Sequence, residues 1–348
     1  MARYIWSRRP AERAATFMLD ARGRNIDYVR ISVTDRCNLR CVYCMPEEGI
    51  CMARHEDILT YDEIRRLCRI FVSLGIKHVK LTGGEPLVRR NVTELVRNLK
   101  ELSGIETVTL TTNGLLLEAM AEELVQSGID GVNVSLGTLN EEAYTRMTRV
   151  NALSAVQGGI DKILSYGIPV KINCVTIKPQ NSDGEERKAA LLQIAKLAKN
   201  RKLDIRFIEL MPIGLGKDYD FIREEEIKGL LTEQFGMLQP CGERLGSGPS
   251  HYYSLEGFCG RIGFISAMSH RFCETCNRIR LTAKGYLKTC LQYHIGVDVR
   301  ALLRDQTIED DEVAKVIRQA INEKPEGHHF SESGIRNEER DCMSQIGG

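Results

Sequence analysis

Six short apolar runs, each followed by a segment with helical periodicity, constrain the fold of this chain more than any other feature. The runs cover residues 28–33, 78–83, 107–113, 131–136, 170–177 and 204–211. Between them, apolar residues recur at helical spacing, as Ile64, Leu67, Cys68, Phe71 and Leu74 do. A repeated strand–helix order is typical of parallel sheets, and six units are too few for a closed eight-stranded barrel. The sequence therefore predicts an α/β fold, either an open or partial (βα) barrel or a doubly wound sheet.

The chain changes in character near residue 236. Glycine becomes frequent from there to 263, and the apolar runs become shorter. A last helix is predicted over 311–324. We accordingly predict an N-terminal arm (1–24), a partial barrel of parallel strands (25–235) and a smaller, loop-rich C-terminal domain (236–348).

Composition argues against several classes of protein. The net charge of the 348 residues is +1, so no global field attracts nucleic acid or a membrane. No apolar run approaches the 18 residues of a spanning helix, and the N-terminus lacks the apolar core of a secretory signal. We expect a cytoplasmic protein without a membrane or nucleic-acid partner. In that compartment, the twelve cysteines favour metal ligation over disulfides.

The first of two cysteine triplets directly follows the first predicted strand. Cys37, Cys41 and Cys44 are spaced by three and then two residues. Three thiolates are one fewer than the four that usually hold a [4Fe–4S] cluster, which leaves one iron open to a small molecule. The sequence GGEP (83–86) follows the second strand, where parallel sheets bind ligands and where glycine permits close approach. A structural zinc site is the alternative, but it requires a fourth ligand.

The second triplet is Cys273, Cys276 and Cys290, spaced by two and then thirteen residues. It predicts a second cluster with an open iron for substrate, or a zinc site. A zinc site would take its fourth ligand from Cys259, His270 or His294. Arg278 and Arg280 follow, two residues apart, and would share one face of a strand. Such a pair suits a polyanion such as a triphosphate, although a solvated basic edge would have the same pattern.

Four cations interrupt apolar strands in the first part of the chain. They are Arg30, Lys80, Lys171 and Arg206. A cation in a strand that is covered on both faces is costly unless it is paired. The four together predict a shared buried anion, whereas pairing with Glu85 or Glu209 would account for one or two of them.

The first triplet, Tyr43 before its last cysteine and GGEP together resemble the radical S-adenosylmethionine family. The second triplet, the segments CNRIR and FIELMPIG and the terminal Gly-Gly resemble its GTP 3′,8-cyclase branch, from about residue 24 to 348. The resemblance implies two [4Fe–4S] clusters, the first binding S-adenosylmethionine and the second binding GTP. It implies that a 5′-deoxyadenosyl radical removes the ribose 3′ hydrogen and that C3′ then attacks C8. The product would be 3′,8-cyclo-7,8-dihydro-GTP, in the first step of molybdenum cofactor biosynthesis.

The resemblance also implies individual contacts, nearly all of them close to the carboxyl ends of the strands. The cofactor contacts would be Tyr43, Gly83, Gly84, Glu85, Ser135 and Met211. The GTP contacts would be Arg30, Lys80, Thr111, Lys171, Arg278 and Arg280. Catalytic roles would fall to Arg278, Arg280, Gly347 and Gly348, the last two in a tail that reaches the site. A reductant protein would supply electrons, cyclic pyranopterin monophosphate synthase would take the product, and a homodimer stays open.

The chain departs from the family pattern at two places. Lys80 stands where arginine is frequent, and Gly137-Thr138 stands where Asp-Ser is usual. The first change keeps the charge but loses the bidentate fork, and the second removes a carboxylate. Cys51, close to the first triplet, is interpreted as a bystander. Two other functions stay open: a radical S-adenosylmethionine enzyme that modifies peptides, and a zinc-stabilised nucleic-acid-binding protein.

Overall fold

The computed structural model describes residues 17–178, 184–242, 245–330, 332 and 338–347. Its strands are β1 (Tyr28–Ser32), β2 (His78–Thr82), β3 (Thr107–Thr112), β4 (Gly131–Ser135), β5 (Val170–Val175), β6 (Leu203–Ile208), β7 (Gln239–Pro240), β8 (His251–Ser254), β9 (Ile262–Ile265), β10 (Arg278–Leu281), β11 (Tyr286–Lys288) and β12 (Gly296–Asp298). Its helices are α1 (Tyr61–Ser73), α2 (Val92–Lys100), α3 (Leu117–Gln126), α4 (Glu141–Thr148), α5 (Leu153–Ser165), α6 (Gly184–Asn200), α7 (Glu224–Phe235), α8 (Val299–Arg304), α9 (Asp310–Asn322) and α10 (Met343–Ile346).

The strands form one sheet in the order β12-β11-β10-β1-β2-β3-β4-β5-β6-β9-β8-β7. Strands β1 to β6 are adjacent and parallel, which confirms the predicted α/β class with a parallel sheet. Two later strands extend this parallel region, β10 beside β1 and β9 beside β6. The antiparallel strands lie outside them. The segment after residue 236 therefore adds strands to both edges of the sheet.

Helices cover one face of the sheet because their apolar stripes match its apolar residues. Helix α1 begins at a capping box, in which Thr60 and Glu63 each accept a hydrogen bond from the other's backbone N–H. Its buried face presents Ile64, Leu67 and Phe71 to the core. Helix α4 was not predicted, since its eight residues bury only Tyr144 and Thr148 and so carry little periodic signal.

Residues 17–24 pack against the body of the protein. Met18 is buried, and Leu19 forms a bridge with Asn25. The Arg24 guanidinium pairs with Asp20 at 2.6 Å and donates to the backbone oxygen of Cys273 at 3.1 Å. This end of the described chain thus supports the loop of the second cysteine triplet. No helix in the described ranges combines the length and apolar character that crossing a membrane requires.

Candidate active site

A cavity of about 300 Å³ lies against the uncovered face of the sheet. Its walls include residues from all eight parallel strands, from Arg278 and Arg280 on β10 through Arg30 on β1 to Ile265 on β9. Strands that all contribute to one cavity must curl around it, as they do in a partial barrel. All six cysteines of the two triplets line this cavity. Groups bound at the two triplets would therefore share one enclosed space.

The first triplet lies on the loop that leaves the carboxyl end of β1. Its backbone is fixed by Arg149, whose guanidinium donates to the Arg40 and Met45 carbonyls at 2.9 and 3.2 Å. The Leu39 backbone N–H donates to Cys37 Sγ at 3.4 Å. The loop thus holds three free, partly buried thiols towards the cavity.

Gly83 and Gly84 pack against this same loop. A Cβ at Gly83 would lie 2.6 Å from the Thr34 carbonyl oxygen, and one at Gly84 would lie 2.4 Å from that of Arg36. Backbone N–H groups of Gly84 and Glu85 donate to these same two oxygens at 2.7 and 2.8 Å. Close approach by a ligand was the expected reason for the two glycines. The structure gives a different reason, which is the close approach of the cysteine loop itself.

The electrostatics of the first triplet suit a cationic cluster. Burial is the main cause that raises the pKa of Cys44 to about 12, and repulsion by Cys37 and Cys342 raises this pKa further. The Ser344 N–H and hydroxyl act in the opposite direction. Burial, together with repulsion by the other two triplet thiols, raises the pKa of Cys41 further. Three thiolates at this spot need positive charge to balance them, and the irons of a [4Fe–4S] cluster supply it. The donor set therefore fits the group that the sequence predicts there.

The predicted cofactor contacts all line the cavity. They are Tyr43, Gly83, Gly84, Glu85, Ser135 and Met211. The Glu85 carboxylate is already occupied, since Leu87 and Asn113 N–H and the Thr112 hydroxyl donate to it. It joins the loops after β2 and β3. At Gly137, a Cβ would lie 2.7 Å from Met147 Sδ, so a larger side chain there would require Met147 to move.

The second triplet lies at the end of the sheet opposite the first triplet. Cys273 and Cys276 precede β10, whose first residue, Arg278, is in register with Tyr28 at the start of β1. The contacts that the resemblance implies were expected nearly all close to carboxyl ends, but Lys171 lies near the start of β5 and Arg30 lies in the middle of β1. That expectation was wrong because it assumed a site confined to one rim. The cavity instead runs along the sheet from one triplet to the other.

Cations surround the second triplet. Burial opposes ionisation of Cys276, but Arg278 and Lys324 outweigh it and lower the pKa of Cys276 to about 6. The Lys324 ammonium also donates to the backbone oxygens of Arg278 and Thr289. None of the three candidates for a fourth zinc ligand lines the cavity, namely Cys259, His270 and His294. In the described part of the chain, no three His, Cys, Asp or Glu side chains are placed to hold a single metal ion.

A row of cations crosses three neighbouring strands. Arg30 on β1 is in register with Lys80 on β2 and with Arg280 on β10. Burial, followed by the nearby Arg206 and Arg30, holds the pKa of Lys80 well below its usual value. Burial, followed by Arg30 and Arg278, lowers the pKa of Arg280 in the same way.

The alternative explanation, pairing with Glu85 or Glu209, is wrong. The Glu209 carboxylate accepts hydrogen bonds from Met268, Ser269 and the Ser269 hydroxyl, and Glu85 is occupied as described. Within the described ranges, no carboxylate forms an ion pair with Lys80, Lys171, Arg206, Arg278 or Arg280. Lys80, Lys171, Arg206 and Arg280 therefore lack a carboxylate that would balance their charge, whereas Arg278 lies beside the Cys276 thiol.

The remaining predicted residues are only partly brought together. Thr111 lines the cavity with Arg30, Arg278 and Arg280, whereas Lys80, Lys171 and Gly347 do not line it. The Lys171 ammonium donates to the Leu245 carbonyl and the Tyr252 hydroxyl, both at 3.1 Å. The Gly347 carbonyl accepts a hydrogen bond from Arg280 at 3.4 Å. Gly348 lies outside the described residues.

Several polar residues that line the cavity were missed by the sequence analysis. They are Asn113, Asn173, Thr289, Gln292, Lys324, His328 and Ser344. Asn113 donates to Asn38 and, at 3.9 Å, to Cys37 Sγ, which joins β3 to the first triplet. For Thr289 and Gln292, closeness in sequence to Cys290 could have indicated a place in the site. The other five residues carry no such signal.

Two family models match the chain. The Radical SAM superfamily matches residues 31–192, and Molybdenum Cofactor Synthesis C matches residues 203–330. The first range contains the first triplet and GGEP, and the second contains the second triplet and Arg278.

Curated relatives match nearly the whole chain. A GTP 3′,8-cyclase of Clostridium perfringens is 42% identical over 331 residues, covering 95% of this chain and 100% of the relative. A GTP 3′,8-cyclase of Pelotomaculum thermopropionicum is 44% identical over 335 residues, with the same coverage. Among solved structures, Streptococcus suis SuiB bound to S-adenosylmethionine has a TM-score of 0.56 at 15% identity. The match covers 93% of this chain and 77% of the SuiB chain, and at this identity it shows a similar fold.

Proposed function

The chain belongs to the GTP 3′,8-cyclase family of radical S-adenosylmethionine enzymes, and on that premise we propose that it converts GTP to 3′,8-cyclo-7,8-dihydro-GTP. The reaction begins molybdenum cofactor biosynthesis. The observation that carries the proposal is the single cavity lined by both triplets, with Arg30, Arg278 and Arg280 also in its wall. A cofactor at one triplet and a nucleotide at the other would meet in this space.

The first triplet would hold a [4Fe–4S] cluster through Cys37, Cys41 and Cys44. Such a cluster, when reduced and with S-adenosylmethionine bound, would supply a 5′-deoxyadenosyl radical, the hydrogen-abstracting reagent of this enzyme class. Tyr43, Gly84, Ser135 and Met211 would position the cofactor, since they line the same cavity. Glu85 would position the loops after β2 and β3 rather than contact the cofactor itself, because its carboxylate is occupied by protein donors.

The second triplet would hold a further [4Fe–4S] cluster and, with it, the guanine end of GTP. Arg30, Lys80 and Arg280 lie in one row, and a triphosphate would supply negative charge to Lys80 and Arg280, which form no ion pair within the described ranges. Guanidinium groups bind phosphate oxygens in pairs, so Arg30, Arg278 and Arg280 would also orient the triphosphate. This need for a polyanion favours a nucleotide over a peptide substrate.

The wider setting of the reaction is part of the same proposal. A reductant protein would provide electrons, and cyclic pyranopterin monophosphate synthase would take the product. The enzyme would work in the cytoplasm, and a homodimer stays a prediction.

The substrate is tested by product formation. Anaerobically reconstituted, reduced protein is incubated with S-adenosylmethionine and one nucleoside triphosphate at a time. We expect formation of 5′-deoxyadenosine to depend on GTP, and equal turnover with ATP would contradict the proposal. Cys41→Ala should abolish the reaction because it removes a cluster ligand. Cys51→Ala, at an exposed cysteine outside the triplet, is the matched control and should retain activity and iron content.

A further inference from the structure

Buried polar atoms without partners gather at the second-triplet end of the cavity. They are Gln292 Nε2, Thr289 Oγ1 and both ring nitrogens of His328, none of which has a hydrogen-bond partner in the described part of the chain. The three residues are 1%, 1% and 8% exposed, and all line the cavity. The Ala267 backbone lies near the His328 ring but does not meet the geometry of a hydrogen bond. Buried polar groups are normally paired, so a cluster of unpaired ones indicates a bound partner.

The Gln292 side chain is fixed in one orientation. The side-chain oxygen Oε1 accepts a hydrogen bond from the His329 backbone N–H at 2.6 Å. The Gln292 backbone carbonyl accepts one from the Glu339 backbone N–H, also at 2.6 Å. Because the amide oxygen is occupied, the side chain offers the cavity only the two N–H donors of Nε2. A rotated amide would lose the bond to His329.

Thr289 and His328 are adaptable by comparison. A hydroxyl rotates to donate or accept, and a neutral imidazole has two tautomers. The His328 ring is nevertheless held in place by Phe330, with the ring centroids 4.7 Å apart. The three side chains together offer one fixed donor and two groups that adjust to what they meet.

The unpaired atoms suit a nucleobase better than a phosphate. They are uncharged, whereas the row of cations lies on β1, β2 and β10, and the nearby Lys324 ammonium already donates to the Arg278 and Thr289 carbonyls. The edge of a purine carries donors and acceptors in one plane, which matches a fixed amide beside a hydroxyl and an imidazole. Guanine has an acceptor oxygen at position 6, whereas adenine has an amino donor there. A fixed donor would therefore meet an acceptor in guanine and another donor in adenine.

This inference rests on the proposed function. We propose that the Gln292 amide donates a hydrogen bond to an acceptor of the purine base and thereby selects guanine over adenine. Thr289 and His328 pair the remaining polar atoms of the same base edge. Gln292 is thus a specificity-determining residue of the nucleotide site.

The test measures equilibrium dissociation constants of GTP, inosine triphosphate and ATP, using cluster-loaded protein without reductant. Gln292→Met removes the donor at nearly constant volume, and we expect the constants for GTP and inosine triphosphate to rise about tenfold. Inosine triphosphate responds like GTP because it keeps the oxygen at position 6. The constant for ATP should stay unchanged. Gln319→Met, at an exposed glutamine of α9, is the matched control and should bind all three nucleotides as the wild type does.

Gln292→Glu is the second variant, and it keeps the acceptor for the His329 N–H if the methionine variant fails to fold. It replaces the donor by an acceptor, so its preference for GTP over ATP should be lost. Equal weakening of all three nucleotides in both variants would overturn the inference, because it would indicate a packing role. Unchanged discrimination with altered iron content or cluster absorbance would overturn it in favour of a role at the cluster. Either result is compatible with GTP-dependent 5′-deoxyadenosine formation by the wild type, whose absence would instead contradict the proposed function.

Discussion

At the scale of single residues, Glu85 shows how one carboxyl group organises the cofactor end of the cavity. It is 1% exposed and accepts hydrogen bonds from Leu87, Thr112 and Asn113. Burial raises the pKa of Glu85 to about 7, although these donors act in the opposite direction. The native protein therefore holds the Glu85 proton more tightly than the unfolded chain, whose pKa is near 4.5.

This shift predicts a loss of stability as pH rises. The contribution of Glu85 is fully present below about pH 4.5 and is lost as the pH rises through about 7, because only the unfolded chain ionises freely in that window. The free energy of unfolding should fall by roughly 3 kcal/mol on this account. Urea unfolding followed by circular dichroism, at several pH values between 4.5 and 7.5, measures it.

Glu85→Gln isolates the effect, because the other titrating groups are common to both proteins. The variant should be less stable at pH 4.5, since its amide cannot accept all three hydrogen bonds. The difference between the two proteins should then shrink as the pH rises. A difference that stays constant over the window would show that Glu85 is already ionised in the native state at low pH.

At the scale of strands, the register of the sheet creates the cationic row. Three adjacent parallel strands carry a cation at the same register position, namely Arg280 on β10, Arg30 on β1 and Lys80 on β2. Their side chains therefore leave the same face of the sheet side by side. Repulsion between these cations lowers the stability of the free protein, and binding of a polyanion would offset that loss.

Lys80→Met separates these two effects. Methionine keeps most of the volume and removes a buried cation, so the free protein should become more stable by about 1 kcal/mol. GTP should bind about tenfold more weakly and should raise the melting temperature by less than it does in the wild type. Thermal unfolding with and without GTP measures both.

Lys77→Met provides the matched control. Lys77 lies three residues earlier, has a partly exposed side chain and pairs with Glu106 at 2.8 Å, so its loss should alter neither quantity appreciably. A Lys80→Met protein that is less stable and still gains the full thermal shift from GTP would refute the proposed role of the row.

Strands β1 to β6 were predictable, and both triplets were recognisable, because each leaves a local pattern in the sequence. Mid-strand cations also stood out against their apolar neighbours, as at Lys80. Their alignment with Arg280 was not predictable, because β10 joins β1 only through pairing between distant parts of the chain. Gln292 escaped notice for a related reason. A single glutamine in a loop has no periodicity, and its importance arises from the bond that fixes its oxygen.

At the scale of the whole molecule, the two regions matched by separate family models share one sheet. Strand β10 of the second region pairs with β1 at the start of the first, and β6, which begins the second region, pairs with β5 of the first. This sharing places the second triplet at the far end of the cavity from the first. The C-terminal tail returns to the first-triplet end of this cavity, where Met343 and Ser344 of α10 line the wall and Gly347 contacts the end of β1.

Gly347 is where the tail meets the sheet, and its conformation makes the contact testable. Its φ is +82°, and a Cβ there would lie 2.8 Å from Ser32 Cβ on β1. Gly347→Ala would therefore add backbone strain of about 1 kcal/mol and a steric clash, both of which push the tail away. Since small displacements near reacting groups are costly, GTP-dependent 5′-deoxyadenosine formation should fall about tenfold or more. Iron content and melting temperature should change little.

Gly257→Ala, at φ +74° with no atom within 4 Å, carries the same strain without the clash and should remain active. Equal activity of the two variants would show that tail position does not govern the reaction.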